Sequence, residues 1–225
     1  MILLGSKNPH KLREVREILD PLGLRVVIAV NLPHVDEDGD TFAANAAKKA
    51  KAFSSFLRAP CLADDSGLVV PALDGEPGVR SARYAGEDAD DEKNLFTLLA
   101  RLDERGIREP EAYFQCSVAI ALPGPPEEVV VEAEGRVRGR IVHEPRGEHG
   151  FGYDPVFFHP PSGCTTAELE PDAKNAISHR GEALRALAEK LKDPELRNPL
   201  NLKTKKQEPG TGPGRGARSL YTAPL

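Results

Sequence analysis

The sequence predicts an α/β fold, and three stretches carry that expectation. Residues 1–5 form a short apolar run, followed by an amphipathic helix and a second apolar run from Arg25 to Ala29. An alanine-rich helical stretch then leads into Leu62-Ala63-Asp64-Asp65-Ser66-Gly67-Leu68-Val69-Val70, where two apolar runs flank an acidic pair. Residues 112–142 hold two alternating runs joined by Pro123-Gly124-Pro125-Pro126. Strands that alternate with helices point to an α/β sheet, and the last pair to an antiparallel ribbon with one wet face.

Composition narrows the function classes. A chain of 225 residues can form one sizeable domain or two small lobes, and 40% apolar with 29% charged residues suits a globular protein. A formal net charge of −5 argues against a protein that coats nucleic acid, which needs a basic surface, but leaves room for a basic pocket. Cys61, Cys116 and Cys164 form no CxxC pair, so neither a disulfide framework nor a zinc site is suggested. The opening Met1-Ile2-Leu3-Leu4 is too short for a signal-peptide core, and no later run approaches a membrane span. The expectation is a cytoplasmic protein with no membrane contact and no stable nucleic-acid partner.

In chain order, Asn8 as N-cap and Pro9 at the first helical position start a helix that runs to about Asp20, with Leu12, Val15, Ile18 and Leu19 on one face. Leu22-Gly23 stops it. Ser6, Lys7, Asn8, His10 and Lys11 thus gather donors at a strand–helix junction where an anion could sit, although the P-loop spacing is absent. Taken alone, this stretch reads first as an ordinary capped helix with exposed lysines. The loop Val35-Asp36-Glu37-Asp38-Gly39-Asp40 precedes Thr41, which caps a helix from about Phe42 to Leu57. Its buried stripe is expected to be Phe42, Ala46, Ala50, Phe53 and Leu57.

Adjacent residues of a regular strand face opposite ways, so Asp64 and Asp65 serve one ligand only if a turn begins there, and Ser66-Gly67 is turn chemistry. A solvated acidic turn and a metal corner both remain open at this point, since hard cations take carboxylate oxygens. The Gly- and Pro-rich stretch from Leu73 to Gly86 is expected to be irregular. Asp88 or Asp90 then caps a helix through about Leu102, with Leu95, Phe96, Leu98, Leu99 and Leu102 apolar. Arg136, Arg138 and Arg140 follow Glu132 and Glu134 at every second position, which reads as one solvated strand face. Gly150-Phe151-Gly152-Tyr153-Asp154 offers Phe151 or Tyr153 to a planar ring, and Lys174, Ser178, His179 and Arg180 gather donors suited to an anion or a purine carbonyl. Beyond about Lys192 the composition turns to Gly, Pro, Lys and Arg. Residues 1–192 are expected to form the folded domain and 193–225 a disordered tail that adds nothing to the core.

Taken together, six motifs resemble the inosine triphosphate pyrophosphatase family, which hydrolyses deaminated purine nucleoside triphosphates to the monophosphate and pyrophosphate. They are Ser6-Lys7-Asn8-Pro9-His10-Lys11, Thr41-Phe42-x-x-Asn45-Ala46-x-x-Lys49-Ala50, Ala63-Asp64-Asp65-Ser66-Gly67-Leu68, Pro77-Gly78-x-x-Ser81-Ala82-Arg83-Tyr84, Gly150-Phe151-Gly152-Tyr153-Asp154-Pro155 and Lys174-Asn175-x-x-Ser178-His179-Arg180-Gly181. Each is weak alone, but their shared order across residues 1–181 is specific. The chain departs from the pattern at Ala44, where many bacterial members carry Glu; the family's acidic ligand aligns with Glu37.

The resemblance implies a long twisted mixed sheet in two lobes with a nucleotide cleft between them, a homodimer, and Mg²⁺ held by Glu37 and Asp65. It implies Asp65 as the general base, or as the group orienting the attacking water. Ser6, Asn8, Lys11 and Lys49 are implied as the phosphate clamp, with Lys7, Pro9, His10 and Ser66 also against substrate. The base is expected against Phe151, bordered by Gly152, Tyr153, Asp154, Lys174, His179 and Arg180. Hypoxanthine and xanthine accept at position 6 where adenine donates, so a donor-lined site rejects adenine. Two other readings remain: a septum-inhibitor-type pyrophosphatase acting on modified pyrimidine or 7-methylguanosine nucleotides, and a non-catalytic nucleotide- or RNA-binding module using the basic tail.

Overall fold

The computed structural model describes residues 1–5, 9–126 and 128–200, with backbone alone at positions 9 and 10. Ser6, Lys7 and Asn8, the side chains of Pro9 and His10, and residues 201–225 lie outside the described residues. One seven-stranded sheet organises the chain, in the order β2-β1-β3-β4-β5-β6-β7. Its strands are β1 (Ile2–Leu4), β2 (Val26–Ile28), β3 (Cys61–Val69), β4 (Glu111–Leu122), β5 (Glu128–Ile141), β6 (Phe157–His159) and β7 (Cys164–Thr165). The strand β1 runs parallel to β2 and β3, and every later pairing is antiparallel. The principal helices are α1 (Pro9–Leu19), α2 (Phe42–Leu57) and α3 (Asp91–Glu104), followed by α4 (Pro171–Ala176), α5 (His179–Lys190) and α6 (Pro194–Arg197).

Three apolar clusters explain the layering. On one sheet face, α1 and α5 bury Val15, Leu184 and Leu187 against Ile2, Leu62, Val118 and Ile120. On the other, α2 sets Ala46, Ala50 and Phe53 against Ala63, Ala119 and Ala121. The small residues on both sides let this alanine-rich helix lie close to the strands, while Thr41 accepts a hydrogen bond from the Ala44 amide to cap it. A third cluster at the far end of β3 and β4 joins Leu98 and Leu102 of α3 to Leu68, Leu73 and Phe157. The expected two lobes are these two ends of one sheet, which β3, β4 and β5 cross between them.

The structure corrects several local expectations. The strand β3 does not turn at Ser66-Gly67 but pairs with β4 without interruption from Cys61 to Val69. Gly67 is small for packing rather than for bending: a Cβ there would run into the Ser81 hydroxyl and the Gly78 carbonyl. The Pro77–Tyr84 stretch is not wholly irregular, since Gly78–Arg83 forms a 3₁₀ helix lying on β3. Phe96 projects outward, 52% exposed, because α3 turns Leu95, Leu98, Leu99 and Leu102 inward and leaves position 96 on the outer side. Packing also continues past Lys192: α6 and the 3₁₀ turn Asn198–Leu200 bring Leu200 into the α1–α5 cluster, and the Arg197 guanidinium donates to the Leu22 carbonyl at 2.8 Å. The wet face expected of the ribbon belongs to β5 alone, with Glu132, Glu134, Arg136 and Arg138 exposed, because both α2 and α5 cover β4.

Candidate active site

Because β3 is regular, Asp64 and Asp65 leave it on opposite faces. Asp64 points with Leu62 toward α1 and α5, and Asp65 points with Ala63 toward α2. One dipeptide therefore serves two environments.

On the α2 side, Asp65 meets three groups from elements distant in sequence. The Asn45 amide nitrogen donates to Asp65 Oδ2 at 3.0 Å, and Lys49 Nζ lies 3.4 Å from Oδ1. The same ammonium is 2.9 Å from Glu37 Oε2, so Lys49 bridges the two carboxylates. The 3₁₀ helix of the other lobe supplies Arg83, whose guanidinium donates to the Glu37 carbonyl at 2.7 Å. Burial pushes the Asp65 carboxyl upward, and Glu37 at hydrogen-bond range adds to the rise against the pull of Lys49. Glu37 is held low: burial opposes its ionisation, but the hydrogen bond and charge of Lys49 outweigh it. Burial works against the Lys49 charge too, yet Asp65 and Glu37 together keep it ionised.

This donor set fits a hard divalent cation. Two carboxylates, one largely buried and one a third exposed, converge where a lysine now neutralises them. Among the described residues no cluster of three or more His, Cys, Asp or Glu side chains forms a closed metal cage. An open two-carboxylate corner matches the habit of Mg²⁺, which keeps waters and takes substrate phosphates as further ligands.

On the opposite face, Asp64 is buried in a cationic clasp. Lys11 Nζ reaches both its oxygens, at 3.0 and 2.8 Å, and Arg180 Nε donates to Oδ2 at 3.1 Å. Burial alone would raise the Asp64 carboxyl, but Lys11 and Arg180 hold it far below the usual carboxylate range. Arg180 also donates to Glu14 Oε2 at 3.3 Å and lies 3.4 Å from Ser66 Oγ. Ser178 caps α5 at the Gly181 amide and donates to Glu14 as well. The expected phosphate ligand Lys11 and base-edge residue Arg180 are thus brought together, through a carboxylate placed between them.

From this clasp a cleft of about 610 Å³ opens between the lobes. Lys11, Glu14 and Arg180 line its inner end; Phe151, Lys174 and His179 line the remainder with Phe114. The Phe151 ring is 62% exposed, and Lys174 Nζ stands 4.8 Å from its centroid. Asp154 is fully engaged: Oδ2 accepts from the Phe151 amide at 2.8 Å and from Lys174, and Oδ1 accepts from Thr166 at 2.8 Å. It shapes the aromatic loop and leaves Phe151 as the free face. Tyr153, expected as an alternative stacking ring, is instead buried, with its hydroxyl donating to the Ser81 carbonyl at 2.8 Å. Gly152, expected beside the base, has φ +62° and donates its amide to Asp91 of α3 at 2.9 Å. His179 stacks on Phe114 at 5.0 Å, and burial, aided by Arg180 and Lys174, lowers its pKa to about 3, so the imidazole is neutral.

The acidic corner of Glu37, Lys49 and Asp65 does not line this cleft; the two sites are linked through β3, whose Asp64 holds the cleft residues Lys11 and Arg180 while its neighbour Asp65 faces the corner. The junction between β1 and α1 leaves the sheet beside β3, where the Gly5 amide donates to the Leu62 carbonyl at 2.8 Å. Glu14, Asn45, Ser81 and Arg83 were given no role from the sequence. A detectable signal existed for Asn45, a polar residue on the apolar stripe between Phe42 and Ala46. Ser81 and Arg83 also stand in one of the six motifs, but for them and for Glu14 only the packing of distant elements reveals what each touches.

The sequence profile of the Ham1 family matches residues 2–190. A protein of Geobacillus kaustophilus named dITP/XTP pyrophosphatase is 48% identical over 195 residues, covering 85% of this chain and 94% of its own. A protein of the same name from Geobacter sulfurreducens is 46% identical over 193 residues, 84% of this chain and 96% of the relative. Among solved structures, a HAM1 protein from Coxiella burnetii superposes with a TM-score of 0.79 at 40% identity, covering 85% of this chain and 98% of that one.

Proposed function

Because this chain belongs to the Ham1 family, we infer that it is a nucleoside triphosphate pyrophosphatase that hydrolyses deaminated purine nucleoside triphosphates (ITP, dITP and XTP) to the monophosphate and pyrophosphate. The observation that carries this reading is the division of labour at Asp64-Asp65. One carboxylate is neutralised in a cationic clasp at the head of a base-sized cleft, and the other stands in an open acidic corner fit for a cation.

The site residues follow from that division. Asp65 takes the proton of the water that attacks the α-phosphorus, a role suited to a carboxyl whose affinity for protons is raised by burial. Glu37 and Asp65 would hold Mg²⁺, which when bound supplies charge neutralisation of the triphosphate and of the leaving pyrophosphate. Lys49 and Lys11 put positive charge at phosphate oxygens, where charge builds as the P–O bond breaks. Each is paired with a carboxylate here, so substrate phosphate replaces a neutralising partner rather than meeting a bare cation. Ser6, Lys7, Asn8, Pro9 and His10 are assigned to the substrate phosphates as the family resemblance implies, and Ser66 Oγ lies 3.4 Å from the Arg180 guanidinium.

Phe151 covers the base. Lys174 and the neutral imidazole of His179 offer donors to a 6-oxo purine, and the same donors leave adenine's 6-amino group without an acceptor. Homodimer assembly and a cytoplasmic location belong to the same reading. Among the described residues, no helix is long and apolar enough to cross a membrane. Pyrophosphate release measured with inosine, xanthosine, guanosine and adenosine triphosphates, with and without EDTA, tests the assignment. Release from the first two that EDTA abolishes is expected; equal rates on all four, or indifference to EDTA, would overturn it.

A further inference from the structure

We propose that Asn45 is the positioning residue of the acidic corner, its one side-chain amide fixing both the Glu37 loop and the orientation of Asp65. The proposal rests on the reading of Glu37 and Asp65 as cation ligands.

Asn45 is 0% exposed in the first turn of α2. Its Oδ1 accepts from the Gly39 amide at 2.8 Å, and its Nδ2 donates to the Gly39 carbonyl at 3.5 Å and to Asp65 Oδ2 at 3.0 Å. The side-chain amide therefore pairs with the Gly39 peptide much as a neighbouring strand would, in a segment from residue 29 to residue 40 that has no regular structure of its own. Glu37 lies two residues before that clamp, so its carboxylate is placed by a buried group on a helix rather than by a free loop. With Oδ2 of Asp65 occupied by Asn45, Oδ1 is the oxygen left facing Lys49.

Substitution chemistry shows why an amide is needed. Aspartate at 45 could accept from Gly39 but could not donate to Asp65, and would set a second buried negative charge against it. Leucine of similar volume would leave the Gly39 amide and Asp65 Oδ2 without this partner. Position 39 is equally constrained, since a Cβ there would lie 2.7 Å from Asn45 Oδ1 and displace the amide.

The test is calorimetric titration of the full chain with Mn²⁺ alone, beside steady-state kinetics on inosine triphosphate, for wild type, Glu37→Gln, Asn45→Asp, Asn45→Leu and Gly39→Ala. Groups that orient metal ligands typically cost roughly 10–100-fold in affinity or activity when removed, so Asn45→Leu and Gly39→Ala should weaken Mn²⁺ by about that factor, whereas Asn45→Asp, which adds a carboxylate to the corner, should not weaken it. The kcat of all three should fall while KM stays close to wild type, because the base cleft is untouched. If Asn45→Leu does not fold, Gly39→Ala, made in the surface loop, carries the test. Wild-type Mn²⁺ affinity in Gly39→Ala, with Glu37→Gln impaired, would overturn the proposal. Glu37→Gln binding Mn²⁺ like wild type would instead overturn the metal assignment beneath it.

Discussion

Ser81 occupies the space that Gly67 leaves beside β3. Its hydroxyl donates to the Gly78 carbonyl at 2.6 Å and accepts from the Leu68 amide at 2.9 Å, locking the 3₁₀ helix of one lobe onto the strand that carries Asp64 and Asp65. Gly67→Ala should force this contact apart. Overpacking of a tight site costs about 1–3 kcal/mol, read as a lower urea midpoint, and activity should fall with it because the strand must shift. Wild-type stability in Gly67→Ala would mean that the Ser81 contact is slack.

The two adjacent aspartates should respond oppositely to amide substitution. Asp64→Asn leaves Lys11 and Arg180 facing each other without their carboxylate, and breaking a buried ion pair costs about 3–5 kcal/mol. Asp65→Asn should abolish turnover with no loss of metal-free stability at neutral pH, since burial already disfavours its charge. Denaturant melts of both variants, alongside pyrophosphate release, distinguish the roles. A destabilised, inactive Asp65→Asn would make that residue structural instead.

Cation binding should weaken on acidification. Burial raises the folded Asp65 carboxyl to about 6, against an ordinary value near 3.8. A cation requires the ionised form, so Mn²⁺ affinity should be complete above the raised value and lost as pH falls through it, with a proton released on binding below it. Calorimetry in buffers of different ionisation enthalpy measures that proton directly.

His179 makes a contribution to stability that runs in a fixed direction. Its folded pKa of about 3 lies below the ordinary 6.5, so the unfolded chain binds more protons between those values. Stability should therefore be complete above pH 6.5 and decline as the pH is lowered toward 3. Replacing His179 with Gln should flatten that part of the pH–stability curve.

Lys174→Ala should act on base choice more than on rate. Lys174 pairs with Asp154 and stands over Phe151, away from the acidic corner. The expected result is a reduced preference for inosine over adenosine triphosphate in kcat/KM. An unchanged ratio would remove Lys174 from the base site.

Much of this was legible in the sequence because it is local. Thr41 and Asp90 do cap the helices that follow them, and the apolar periods of α1 and α2 mark the faces those helices bury. The motif residues could be named because they recur in order along the chain. Which partner each would take could not, since the partners are set by strand register and helix packing. Ser66-Gly67 is turn chemistry locally, yet nine consecutive pairings with β4 and the approach of Ser81 hold it straight. That straightness is what sends Asp64 to Lys11 and Arg180 and Asp65 to Asn45, Lys49 and Glu37. Sequence alone determined that a pair of carboxylates sits at this point of a strand. Only the tertiary structure decided that they do separate work, because alternation along a regular strand aims neighbours at opposite faces and long-range packing supplies each face with its own charges.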